Sequence, residues 1–374
     1  MNRTFLHSFD PSANSPITGG TVDLDVLEIE DAGIREVLQT PGAAYGAWSI
    51  LDKLLTPTGG GTPFIFREPL GQAREVKVAL SGLFGRFVAR AYLKRHMGLS
   101  IFAHLGNRTI DLDGRRKIQV KRLSRGDLPD WIACAADFSS LTIAEAKGCH
   151  DRGGPEKALD RAWAQAKRID ITANGHRVTV KRIAIATRWG VASTGPTEAH
   201  LSVRDPVDGG ESLGPEEEDA LFVGLLRQHI ANLIRPLGHA ELADALQNIS
   251  SLPSEEATSG LHENARTLLD LTKEYEAEPS VSPEGLIGGV VTRAGPLSEA
   301  GSSNTDQEML ARLNLRPVFV GVERDLVRAI VDEEPQRIRT KLAHSSRPAE
   351  FARGDPGSGW IIPLGEEQHV IRRD

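Results

Sequence analysis

Two neighbouring segments, Leu128-Pro129-Asp130-Trp131-Ile132-Ala133-Cys134-Ala135-Ala136 and Leu141-Thr142-Ile143-Ala144-Glu145-Ala146-Lys147-Gly148, decide how this chain is read. They predict strands over Asp130–Ala136 and Leu141–Lys147. Paired as a hairpin, they place alternate side chains on common faces. Asp130, Ile132, Cys134 and Ala136 share one face of the first strand; Leu141, Ile143, Glu145 and Lys147 share one face of the second. With Asp130 opposite Glu145 or Lys147, the apolar members meet near the turn and the three charged ones gather at the open end. The reverse face presents mainly Ala and Thr, small enough for a helix to lie close. A slip of one residue separates Asp130 from Glu145 and Lys147 and spoils both patterns.

Such a trio suits phosphodiester hydrolysis, which needs an activated water, a polarised phosphate oxygen and a stabilised leaving alkoxide. Mg²⁺ supplies Lewis acidity and takes a few hard oxygen ligands plus waters. Asp130 and Glu145 offer two carboxylates, and the backbone carbonyl of Ala146 offers a third oxygen. Lys147 beside the metal is placed to position the attacking water and balance charge on the phosphate. The plain alternative is an ordinary hairpin with a surface Asp and a Glu/Lys pair.

Pro129-Asp130 followed by Glu145-Ala146-Lys147-Gly148 resembles the signature of the PD-(D/E)XK nuclease superfamily, the restriction-endonuclease-like proteins. The segment Gly82–Leu93 is similar to the first helix of many members, and the resemblance covers residues 80–190. It implies an α/β fold class: a restriction-endonuclease-like core with a mixed four-stranded sheet flanked by helices. It also implies Mg²⁺-dependent cleavage of DNA, with Mn²⁺ as a substitute, Asp130 and Glu145 as metal ligands and Lys147 as the catalytic lysine. Many members aim a Glu from the first helix at the metal; Arg86 stands there in this chain, with Glu75 a displaced substitute. Some members carry a Gln on the later helix that contacts DNA or site water, and Gln165 matches it. Ile169 replaces the aromatic residue expected four positions on. His150, in the Gly-rich loop after Lys147, is a candidate phosphate contact or proton shuttle, with a solvated loop histidine as the alternative.

Outward from the hairpin, Leu83, Phe84, Phe87, Val88, Ala91 and Tyr92 form one apolar stripe and predict a helix over 75–97 that stops at Gly98. Pro155-Glu156 opens a second helix with Ala158, Leu159, Ala162, Trp163, Ala166 and Ile169 inward. Leu99–Leu105, Arg116–Leu123 and Val178–Thr187 read as further strands, an order that fits a mixed sheet between helices. Basic residues crowd the same region: Arg108, Arg115, Arg116, Lys117, Lys121, Arg122 and Arg125, then Arg161, Lys167 and Arg168. The 374-residue chain carries a net charge of −7, so this is a local strip suited to a polyanion. Solvated strand edges are the alternative reading.

Other chemistries find no pattern here: no Gly-x-Ser-x-Gly, no paired zinc-protease histidines, no dinucleotide-binding glycines. Cys134 and Cys149 make neither a disulfide framework nor a zinc spacing. With no signal-like start and no apolar run near the ~20 residues a bilayer requires, a soluble, cytoplasmic chain without a membrane partner is expected. Residues 1–20 read as a loose arm, Thr21–Ile29 as a strand, and Ala43–Leu55 as a helix before the loop at Gly59-Gly60-Gly61. Further helices are predicted from Pro215 to Pro236, over 239–249 and over 261–276 after a linker at 250–260. The resulting division is an N-terminal extension (1–74), the nuclease-like core (75–195), a helical region (196–276), a linker or mobile loop (277–307) and a small α/β segment (308–374). The expected function is a metal-dependent nuclease acting on DNA in defence or repair. A catalytically impaired nuclease-fold module binding nucleic acid in a larger assembly, and a protein-interaction subunit, are the alternatives. A homodimer or larger assembly through the C-terminal half stays open.

Overall fold

The computed structural model describes residues 2–11, 17–40, 55–56, 65–66, 74–105, 110–150, 152–191, 198–206, 212–249, 255–277, 285–292, 295–296, 317–344, 351–364 and 370–372. In chain order, the elements that build and brace the site begin with β1 (Asn2–Asp10), β2 (Thr18–Asp25), α1 (Val26–Gln39) and α2 (Arg74–Met97). Then come β3 (Leu99–His104), β4 (Ile110–Asp113), β5 (Ile118–Arg122), β6 (Trp131–Ala135), β7 (Thr142–Cys149) and α3 (Glu156–Ala166). They continue with β8 (Ile169–Ala173), β9 (Lys181–Arg188), β10 (His200–Arg204), α4 (Pro215–Ile234), α5 (Ala240–Ile249) and α6 (Glu255–Leu271). β11 (Leu286–Thr292), β12 (Val318–Glu323), α7 (Arg324–Val331), α8 (Pro335–Ala343) and β13 (Gly359–Pro363) complete the set.

The central sheet runs β2-β1-β10-β9-β7-β6-β3. β6 is antiparallel to both β3 and β7, whereas β9 is parallel to β7. Parallel neighbours need a crossover, and α3 provides it. Ala158, Leu159 and Ala162 of α3 pack on Ala184 and Ala186 of β9, where small side chains let the helix approach. The alternate residues Ala144, Ala146, Ile183 and Ile185 join the core cluster that contains Phe84, Phe87 and Val88 of α2. Helices therefore flank the sheet on both faces.

Contact between α2 and β7 is unusually close. A Cβ on Gly148 would stand 1.8 Å from the Ser81 carbonyl oxygen, and one on Gly85 would stand 2.8 Å from Gly148 N. Only glycine permits backbone to meet backbone there. α2 ends at Gly98, whose φ of +69° reverses the chain and whose N–H caps the Lys94 carbonyl.

Several N-terminal expectations change. Residues 2–10 are not a loose arm but strand β1, paired antiparallel to β2 and parallel to β10. The strand expected over Thr21–Ile29 ends at Asp25, whose carboxylate accepts the Leu27 N–H at 2.7 Å and starts α1. The predicted helix at 43–55 lies outside the described residues except for Leu55, which is in a short strand, and the Gly59–Gly61 loop lies outside them. In the second half, the expected linker at 277–307 contains strand β11, and the 250–260 linker gives way to α6 at Glu255. The small α/β segment expected at 308–374 contains strand β12 and helix α7.

β4, β5 and β8, with the short strand His176–Arg177, form a separate antiparallel sheet. β11, β12 and β13 are the middle of a C-terminal sheet. One hydrophobic cluster extends from Phe5 to Ile361, so the N-terminal hairpin, the central sheet and the C-terminal elements share a core. Arg35 of α1 fastens that join: its Nε–H and Nη2–H donate to the carbonyls of Ser358 and Gly359 at 2.9 and 2.8 Å. Among the described residues, no helix is long and apolar enough to cross a membrane.

Candidate active site

β6 and β7 pair with Trp131 opposite Ala144 and Ile132 opposite Ile143. One step further along that register, Asp130 falls opposite Glu145, which selects one of the two pairings the sequence allows. Backbone hydrogen bonds lock the pair: Asp130 N–H donates to Glu145 Oε2 at 2.9 Å, and Ala146 N–H donates to Asp130 Oδ2 at 2.9 Å. Lys147, two residues along the same face, forms an ion pair with Glu145. Glu145 is wholly buried, whereas Lys147 is half-buried at the strand end. Asp130, Glu145 and Lys147 therefore meet.

Burial, and next the charge of Asp130, push the Glu145 carboxyl well above the usual carboxylate range. Lys147 and Arg86 offset only part of that push. Two carboxylates, Asp130 and Glu145, meet two cations, Arg86 and Lys147, and burial above all keeps the Glu145 carboxyl high.

A further carboxylate, missed in the sequence, comes from α1. Arg86 of α2 reaches in two directions, its Nη2 2.5 Å from Asp130 Oδ1 and its Nη1 3.5 Å from Glu36 Oε1. Glu36 is fully buried; Arg90 Nη1 donates to its Oε2 at 3.2 Å, Trp131 Nε1–H donates at 3.0 Å, and His104 Nε2 lies 3.0 Å away. Burial alone would raise this carboxyl, but His104, Arg86 and Arg90 prevail and hold it well below the usual range. Burial acts against the Arg86 charge too, yet Asp130 and Glu36 outweigh it and hold the guanidinium firmly protonated. The place where the resemblance called for a helix Glu is therefore occupied by Arg86, with Glu36 behind it. Glu75 lies in the first turn of α2, its side chain outside the described residues. The one local signal for Glu36 is Arg35-Glu36 embedded in the apolar run Ile34…Val37-Leu38.

The remaining candidates separate by position. Gln165 is buried and donates from Nε2 to the Leu128 carbonyl at 2.6 Å, fixing the segment that delivers Asp130. It is a brace for the site. His150 follows β7 directly and is half-buried. Arg115 is paired with Glu333, and Arg116 lies 3.2 Å from Asp113 and 3.8 Å from Glu216. Those two cations are already engaged by acids, partly from the C-terminal half. Lys117, Lys121, Arg122, Arg125 and Arg161 are exposed. Lys167 is exposed with its ammonium 4.4 Å from the Trp163 ring centroid, and Arg168 donates to the Asp127 carbonyl at 2.9 Å. Arg108 lies outside the described residues. The strip thus divides into an engaged part and an exposed part.

Among the described residues, no group of three or more His, Cys, Asp or Glu side chains is arranged to hold a metal. Mg²⁺ asks for less, being held by one or two carboxylates with waters completing its shell. Asp130 and Glu145 supply hard oxygens at adjoining positions. The β6–β7 ladder ends at Trp131–Ala144, so the Ala146 backbone faces Asp130 instead of a strand. In an extended chain its carbonyl points to the same edge as its N–H. The chemistry of these donors suits Mg²⁺, with the Arg86 guanidinium competing for Asp130 and the Lys147 ammonium for Glu145. Compared with known proteins, the chain matches no family model, no curated sequence and no solved structure.

Proposed function

We propose that this chain is a metal-dependent nuclease that hydrolyses phosphodiester bonds in DNA, in a defence or repair role. The observation that carries the reading is the cross-strand pair Asp130–Glu145 with Lys147 on the same face. The mixed sheet that carries β6 and β7, with α2 on one face and α3 on the other, supports it.

In this reading Asp130, Glu145 and the Ala146 carbonyl hold Mg²⁺ or Mn²⁺, which when bound supplies Lewis acidity to a phosphate oxygen. The Lys147 ammonium, at the open end of the strand, orients the attacking water and offsets charge that grows on the phosphate. Gln165 keeps Asp130 in register with Glu145. Lys117, Lys121, Arg122 and Arg161 draw in the DNA backbone, a sequence-independent and salt-sensitive attraction.

A second reading draws on the Arg86–Asp130 contact. With a guanidinium already seated on the carboxylate, the same fold would bind nucleic acid without cutting it. Labelled linear, circular and single-stranded DNA, incubated with Mg²⁺, Mn²⁺ or EDTA, tests both. The nuclease reading expects metal-dependent cleavage that disappears in Glu145→Ala and falls by about 100-fold in Lys147→Ala, the usual scale for losing a charge-stabilising group. Binding without cleavage by the wild-type protein would select the second reading, and neither binding nor cleavage would sink both.

A further inference from the structure

The loop Leu123-Ser124-Arg125-Gly126-Asp127 joins β5 to the segment that delivers Asp130, and all of its residues are exposed. Leu123 is 52% exposed and belongs to none of the hydrophobic clusters, with Lys121-Arg122 before it in the chain and Arg125 after it. A single exposed leucine is ordinary on a protein surface. This one is held in place. The Leu123 N–H donates to the Arg168 carbonyl at 2.8 Å, and the Arg168 guanidinium donates to the Asp127 carbonyl at 2.9 Å. One residue thus fastens both ends of the loop. Gly126, at φ +110°, lets the chain turn tightly against it: a Cβ there would stand 2.7 Å from Arg168 Nη1.

The cations beside Leu123 are exposed too. Asp170, the acid opposite Lys121 across the β5–β8 ladder, is taken by Arg177 and Arg182. An apolar side chain set among cations on a braced loop suits a polyanion with apolar surfaces inside it. DNA has phosphates outside and stacked bases within, and proteins that kink it push an apolar side chain between base steps while basic residues hold the strand. The seven residues from Leu123 to Asp130 span at most about 25 Å. The leucine therefore lies within about seven base steps of a phosphate held at Asp130.

We propose that Leu123 is a wedge that enters the base stack of bound DNA, with Arg122 and Arg125 on the flanking phosphates. Taking a base out of its stack costs least where pairing is already broken. The chain therefore selects DNA carrying a mismatch over a perfect duplex. This rests on the reading of the chain as a protein that acts on DNA, and it adds which DNA is preferred.

Two duplexes test it, identical except for a central mismatch, each with 2-aminopurine beside that position. Anisotropy and 2-aminopurine emission are measured with the full chain in EDTA, so that no cleavage intervenes. The wild-type protein is expected to bind the mismatched duplex about 10-fold more tightly and to raise its emission as the base unstacks. Leu123→Ala is expected to bring the two affinities together and remove the rise, and Leu123→Met to keep both. Replacing Arg122 and Arg125 together by Gln is expected to weaken both duplexes alike and to flatten the salt dependence. Equal wild-type affinities, or a preference that survives Leu123→Ala, would overturn the wedge and leave the nuclease reading to its own cleavage assay. A preference lost in Leu123→Ala, in a chain that cuts no DNA with metal present, would uphold the wedge and remove the nuclease. Binding to neither duplex would overturn both.

Discussion

Glu36 and Glu145 are both buried, yet their surroundings push them opposite ways. Glu36 is held below its ordinary 4.5, so its stabilisation is complete above that value and is lost as pH falls beneath it. Glu145 is held above its ordinary 4.5: its contribution is favourable below that pH and fades as pH rises towards its folded value. Glu36→Gln is therefore expected to lower stability at pH 7 by about 3 kcal/mol, the scale for stranding buried charged partners, and by less towards pH 3. Glu145→Gln is expected to raise the melting temperature at pH 7 and leave it unchanged below pH 4.5. Melting curves of both variants across that range check this, and shifts of the same sign at pH 7 would refute it. The two residues also differ in legibility. Glu145 is readable beside Lys147 because strand alternation alone places them together. Glu36 reaches the site only through the packing of α1 on α2, and no local spacing announces that.

Elements with a clean apolar stripe were legible: α2, α3 and the β6–β7 hairpin lie close to where periodicity puts them. α1 was not: the alternation of Val22, Leu24 and Val26 carries the strand reading past Asp25 and masks the helix start, although Ile34, Val37 and Leu38 keep a helical spacing, and the burial of Asp31, Arg35 and Glu36 comes from tertiary packing. β11 was hidden by Gly288-Gly289, which resemble a linker; a Cβ on Gly288 would stand 2.0 Å from the Val320 carbonyl oxygen, so close sheet packing requires the glycine. The Gly85–Gly148 contact makes a sharper test at this scale. Gly148→Ala must lift α2 from β7 and is expected to cost about 3 kcal/mol, the upper part of the usual overpacking range. Gly20→Ala, with nothing within 4 Å of the added carbon, serves as the matched control. Denaturant melts giving equal stabilities for the two would show that the helix is not seated as closely as described.

Across the whole molecule, acidic and basic regions are joined, not segregated. Glu333, just after α7, pairs with both Arg115 and Arg227, so part of the basic strip braces the C-terminal half. Composition shows the strip, but only tertiary contacts show which cations remain exposed. The attachment of Arg35 to Ser358 and Gly359 has a consequence in time. A ribosome makes α1 early and those carbonyls more than three hundred residues later. The helix that carries Glu36 therefore lacks part of its seat until Ser358 and Gly359 have been made. Chains truncated after residue 345 are expected to leave α1 open to protease, and the 374-residue chain to protect it; equal protection in both would contradict this. In the proposed nuclease reading, a centre whose bracing helix waits for Ser358 and Gly359 would stay inert until those residues are made, which would spare the cell that makes it.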